Sequence, residues 1–142
     1  MVAVASQQLT HKLIDALYIE ALVLADEART YFDEGSKLDK ERLAPEARVH
    51  FSCEAIKVTT RLMHVITWLL SARATTGGGV RAIAFVPPTS SSIIAGLPES
   101  SAMLIAASEE LYNRVTRLDA RLCEPVASSP VRQLIAQLDA AF

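Results

Sequence analysis

Residues 45–75 read PEARVHFSCEAIKVTTRLMHVITWLLSARAT, with no proline after the first position and no glycine at all. At about 100° per residue, Phe51, Ala55, Val58, Leu62, Val65, Ile66 and Leu69 share one side of a helix. Ile56, Met63 and Leu70 widen that side beyond the face that an ordinary surface helix buries. Lys57, Arg61, His64 and Trp68 follow at i, i+4, i+7 and i+11 and line the remaining strip. A rod that is apolar over most of its circumference needs more than one neighbour. The stretch therefore predicts a bundle around a central helix, with a second chain helping to cover it. At about 1.5 Å per residue it spans roughly 45 Å, which suits an elongated hairpin.

The flanks support this. Pro45 fits the first turn of a helix, where its missing N–H costs little. Gly77-Gly78-Gly79 is a strong stop, because each glycine loses backbone entropy inside a helix. Upstream, a helix is expected from about Leu9 to Asp33, with Thr10 as N-cap and Gly35 closing it. Its buried stripe is Leu13, Ile14, Leu17, Ala21, Leu24, Ala28 and Phe32. Downstream, a third long helix starts near Pro98 or Glu99 and ends before Pro125. There Leu104, Leu111 and Leu118 repeat at seven, and Val115 and Leu122 fill the adjacent seam. Ser129-Pro130 opens a last short helix, over about 130–140, carrying Val131, Leu134, Ile135 and Leu138.

Between the second and third long helices, about 77–98, lies an irregular stretch with Pro87-Pro88 and Thr89-Ser90-Ser91-Ser92. Its apolar members Ile83, Phe85, Val86, Ile93 and Ile94 predict packing, on the bundle or on a partner. The expected fold is all-α, one domain over residues 1–142. It is an antiparallel three-helix bundle of long helices plus the short C-terminal helix, dimerising through apolar surface on the long helices.

Composition agrees. The chain has 142 residues, half of them apolar but only 6% aromatic, as in packed helices. A net charge of −2 supplies no global basic field, and aromatics do not interleave the cations, so nucleic acid is not an expected partner. No uncharged apolar run approaches the roughly 18 residues of a membrane span. The N-terminal MVAVASQQLT lacks the pattern of a signal peptide. Cys53 and Cys123 fit no metal or redox spacing. The expectation is a soluble cytoplasmic protein with reduced thiols.

Catalytic and metal chemistry find little support. His50, Cys53, Glu54 and Glu46 lie within a few turns, but no second cluster completes a ligand set, and His11 is remote. There is no G-x-S-x-G, and the glycine triplet is followed by Val80-Arg81, unlike a phosphate-binding loop. No catalytic residue, metal or cofactor is expected. The strip Lys57, Arg61, His64 and Trp68 reads either as a solvent edge or as a recognition surface, since Arg and Trp often anchor interfaces. Arg114, Arg117 and Arg121 form a second strip, partly neutralised by Glu110, and suit an acidic partner.

Two blocks carry a resemblance. Cys53 to Ala74, with its T-T-R-L-M core followed by W-L-L and R-A, resembles the second helix of the RcdA-like family, the regulators of CtrA degradation. Ser108 to Leu122, with S-E-E-L-Y-N-R-V-T-R-L-D, is similar to the same family's third helix, and Pro130-Val131-Arg132, Leu138 and Ala141-Phe142 to its tail. The resemblance implies a three-helix bundle, a homodimer and a non-enzymatic adaptor that helps deliver substrates to the ClpXP protease during the bacterial cell cycle. The implied partners are AAA+ protease machinery and response-regulator-type or other adaptor proteins. In place of an acidic, helix-compatible continuation after Ala74, this chain has the glycine triplet and the Pro/Ser-rich stretch. The expected partner-binding residues are Lys57, Arg61, His64 and Trp68, then Arg114 and Arg117. The alternative from another class is a helical dimer, or small enzyme, with an anion site at Lys57/Arg61 in the dimer seam.

Overall fold

The computed structural model describes residues 2–74, 82–123 and 137–141. Helix α1 runs Val2–Thr30 and continues through one π-helical turn, Tyr31–Gly35. A short α2 (Lys37–Glu41) leads to α3 (Pro45–Ala74). A one-turn α4 (Ser91–Ala95) precedes α5 (Glu99–Cys123). Among the described residues there is no strand. The fold is all-α, as its apolar spacing predicts. Residues 137–141 are helical, while the Ser129-Pro130 start expected for that helix and the glycine stop at 77–79 lie outside the described residues.

Helix α1 starts earlier than expected. Thr10 is not a cap but an interior residue whose hydroxyl donates to the carbonyl of Ser6 at 2.9 Å. Of its expected stripe, Ile14, Leu17, Ala21 and Ala28 are buried, whereas Leu13 stays exposed. At the far end Tyr31, Phe32 and Phe51 meet edge to face, with centroids 5.1, 5.6 and 6.3 Å apart. The Tyr31 hydroxyl donates to Asp39 at 2.8 Å; burial, then this carboxylate, pushes its pKa up to about 12. The guanidinium of Arg48 donates to the carbonyls of Lys40, Glu41 and Leu43, which satisfies the end of α2 and fixes the turn into α3.

Side-chain pairs set the helix directions. Asp15 meets Arg73 at 3.1 Å near one end, and Phe32 meets Phe51 near the other, so α1 is antiparallel to α3. Glu20 meets Arg114, which places the middle of α1 on the middle of α5. Arg61 reaches Ser108 and Glu109 while Trp68 reaches Asp119, so α3 and α5 run parallel. The bundle is thus antiparallel wherever α1 takes part. The α3–α5 pair is parallel, and the described part of the intervening chain runs opposite to both helices, with Ile83 beside Asp119, Val86 beside Tyr112 and Thr89 beside Glu109. Parallel neighbours need such a return crossing, which accounts for a connection far longer than a helix hairpin requires. Residues 82–90 form this strap; Val86, Ile83 and Ile94 pack on the core as expected, Leu97 joins them, and Phe85, also expected to pack, points outward.

Candidate functional site

Helix α3 has two contrasting long faces. Its buried face carries Phe51, Val58, Leu62, Val65 and Leu69 against α1 and α5, and at its edge Glu54, Arg61 and Trp68 are buried too. Arg61 is 1% exposed and Trp68 3% exposed. The reading of Lys57, Arg61, His64 and Trp68 as one solvent-facing strip is therefore corrected for its two anchor residues. The strap lies over that strip and takes the place that solvent or a partner was expected to fill.

The strap is held by side chains bonding its backbone. From Arg61, Nη2 donates to the Pro87 carbonyl at 3.1 Å, to Thr89 Oγ1 at 3.1 Å and to Glu109 Oε1 at 3.2 Å, and Nη1 points at Ser108 Oγ at 3.4 Å. The Thr89 amide donates to the same Glu109 oxygen at 2.7 Å, and the Thr89 hydroxyl donates to Glu54. Lys57 Nζ sits 3.3 Å from the other Glu54 oxygen. One turn lower, the Tyr112 hydroxyl accepts from the Val86 amide at 3.0 Å and donates to the Ala84 carbonyl at 2.6 Å. Asp119 accepts from the Trp68 indole at 2.9 Å and from the Ile83 amide at 3.2 Å. Around Arg61, the cations Lys57 and Arg61 face the carboxylates Glu54 and Glu109, and strap amides and carbonyls that would otherwise be stranded find partners.

The remaining expected site residues lie apart from this clamp. His64 is half-buried, and its Nδ1 is shielded with no hydrogen-bond partner among the described residues. Arg114 makes a two-pronged pair with Glu20, both bonds 2.7 Å, at the lip of a groove between α1 and α5 floored by Val23, Leu24 and Ala107. Hydrogen bonding from Arg114 holds the Glu20 carboxyl below the usual carboxylate range and raises the Arg114 pKa in return. Arg117 is exposed on α5.

Sequence reasoning weighs Glu54 only as a metal ligand and gives no site role to Glu109, Tyr112 and Asp119. A signal is present: Glu54 heads the same strip as Lys57, Arg61, His64 and Trp68, and Ser101, Ser108, Tyr112 and Asp119 interrupt the apolar seam of α5. Among the described residues no group of three metal-ligand side chains comes together. The alternative anion site at Lys57/Arg61 lacks a free cation, since both are paired with carboxylates.

The molecule is thus an all-α bundle in which polar side chains of α3 and α5 tie down a strap. The chain belongs to the RcdA-like family: residues 5–142 match the family described as "Protein of unknown function (DUF1465)". It is similar to the crystal structure of RcdA from Caulobacter crescentus CB15, at 32% identity and a TM-score of 0.61, over 78% of this chain and 92% of that one. Comparison with curated proteins finds no match. No helix among the described residues is long and apolar enough to cross a membrane.

Proposed function

We propose that this chain is a non-enzymatic adaptor that acts as a homodimer in the cytoplasm and helps deliver substrates to the ClpXP protease in bacterial cell-cycle control. Its similarity to RcdA across nearly the whole of that protein carries the reading. The geometry adds support. The clamp's charges are spent on the chain's own strap, which leaves no evident catalytic constellation there, while charged groups remain at the surface of α3 and α5. Lys57, His64, Arg114 and Arg117 are the residues assigned to partner contact. Arg61 and Trp68 contribute from inside, by fixing the strap beside them. The partners are the AAA+ protease subunit and response-regulator-type or other adaptor proteins.

The test is crosslinked affinity capture from a bacterial cytosol, read by mass spectrometry, with the wild type and Lys57→Gln/Arg117→Glu side by side. The wild type is expected to recover the AAA+ subunit, and the variant to lose it while keeping the wild-type circular dichroism spectrum. Equal recovery by both would remove the residue assignment. Recovery of nothing but the chain itself would remove the delivery role.

A further inference from the structure

The groove between α1 and α5 has an apolar floor and an acidic rim. Its volume is about 320 Å³, and Val23, Leu24 and Ala107 form the floor. The cause is readable in α5, whose seam toward α1 runs Leu104, Ala107, Leu111, Arg114, Leu118 in steps of three and four. At Ala107 a methyl stands between two leucines, so the helices leave a space there that a larger side chain would close. Val23 is 54% exposed, and Met103, one turn before Ala107, is 66% exposed, so the apolar floor continues onto open surface. Three carboxylates stand round it, Glu20 and Glu27 from α1 and Glu110 from α5. A single lining cation answers them, and both prongs of that guanidinium, Arg114, are already bonded to Glu20. Glu27 and Glu110 make no salt bridge among the described residues.

From this we infer that the α1–α5 groove docks a protein segment in which an aliphatic side chain sits beside Lys or Arg. The inference rests on the adaptor reading of the proposed function and gives a partner segment its chemistry. Three observations choose the occupant. First, charge complementarity favours a cation: two carboxylates without an ion partner face the groove, whereas an incoming anion would meet them and find Arg114 already spent. Second, the volume lies at the small end of the roughly 300–1,000 Å³ typical of ligand sites, room for one or two side chains rather than a folded element. Val23, Leu24 and Ala107 offer such a side chain no polar group, so an aliphatic one gains most by entering. Third, the two free carboxylates rise from different helices, Glu27 from α1 and Glu110 from α5, so cations on both sides of the aliphatic anchor find a partner. The Glu20–Arg114 bonds tie α1 to α5 at the lip, so the groove is set before the segment arrives, which lowers the cost of binding.

The test is titration of the isotopically labelled full chain with short capped peptides, followed in its backbone amide spectrum. One peptide carries a leucine between two arginines, a second a leucine between two glutamates, and a third a serine between two arginines. The first is expected to shift the amides of Val23, Leu24, Ala107 and Glu110 saturably, and more weakly as salt rises. The glutamate peptide is expected to leave them in place, and the serine peptide to bind at least about tenfold more weakly for want of a buried leucine. Glu27→Gln/Glu110→Gln is expected to weaken the first peptide about 3–10-fold, through the loss of two partly exposed ion pairs. Ala107→Leu is expected to abolish its effect on the floor. Circular dichroism melts verify folding, and the charge variant decides alone if Ala107→Leu disturbs the seam. No saturable shift in the groove overturns the site. An equal response to the glutamate peptide, or unchanged affinity in the charge variant, overturns the choice of a cationic segment, and an equal response to the serine peptide overturns the aliphatic anchor. No protease enters the experiment, so its failure leaves the delivery role standing, and failed delivery leaves this binding standing.

Discussion

The two long faces of α3 invert the usual relation between polarity and exposure. On one, Glu54, Arg61 and Trp68 are sealed in the interior. On the other, Ile56 and Met63 stand in water. The polar face is buried because its groups complete one another and the strap. The apolar face is bare because nothing among the described residues covers it. Hydropathy reports what a side chain would prefer, whereas burial reports which partners the chain supplies.

Arg61 offers the sharpest way to break the comparison. Replacing it with Met keeps the bulk but takes the cation from Glu109 and leaves the Pro87 carbonyl without its donor beside the buried Glu54. A loss of about 3–5 kcal/mol in urea unfolding is expected, as when one member of a buried ion pair is removed. Met63→Ser on the opposite face is expected to stay within about 0.5 kcal/mol, since Met63 is 61% exposed. If the two substitutions cost the same, the clamp has no special role.

A smaller effect is expected at Tyr112. Its hydroxyl both accepts from Val86 and donates to Ala84, so Tyr112→Phe removes two strap bonds and costs roughly 1–3 kcal/mol. Native-state hydrogen exchange should show the Val86 amide opening faster while α1 amides keep their protection. Uniform acceleration across all helices would mean that the strap is not a separable unit.

The Glu20–Arg114 pair sits between the two extremes, partly exposed, and its contribution is the smallest. Because Glu20 titrates lower when folded than when unfolded, the pair adds stability above the ordinary glutamate pKa and loses it as pH falls through the folded value. Solvent screening keeps this to at most about 1 kcal/mol. Glu20→Gln should lower neutral stability by up to that amount, leave stability below the folded Glu20 pKa unchanged, and so flatten the acid limb of a stability–pH curve slightly. An unaltered acid limb would show the pair to be idle.

The helices were legible because their apolar spacing and breakers act locally. Pro45 opens α3 where expected, and Leu111, Val115 and Leu118 pack inward as their spacing implies. The clamp was not legible, because its bonds join positions far apart in the chain. Nothing near Arg61 announces Thr89 or Glu109, and nothing near Trp68 announces Asp119. The width of the apolar side of α3 was visible in Ile56, Met63 and Leu70, but a sequence does not say which part of it the chain covers itself. The direction of α5 was hidden for a related reason: helix breakers read the same before a tight turn and before a strap that runs back beside α5 from Asp119 to Glu109.

The strap also sets an order of events during synthesis. Trp68 and its partner Asp119 are 51 residues apart. At roughly 5–20 residues per second, a ribosome needs about 3–10 s to cover that distance. The α1–α3 hairpin can form in that interval through its nearer contacts, while Arg61 and Trp68 wait uncovered for a helix not yet translated. The nascent hairpin passes through a stage, absent from the finished molecule, in which both long faces of α3 are open at once.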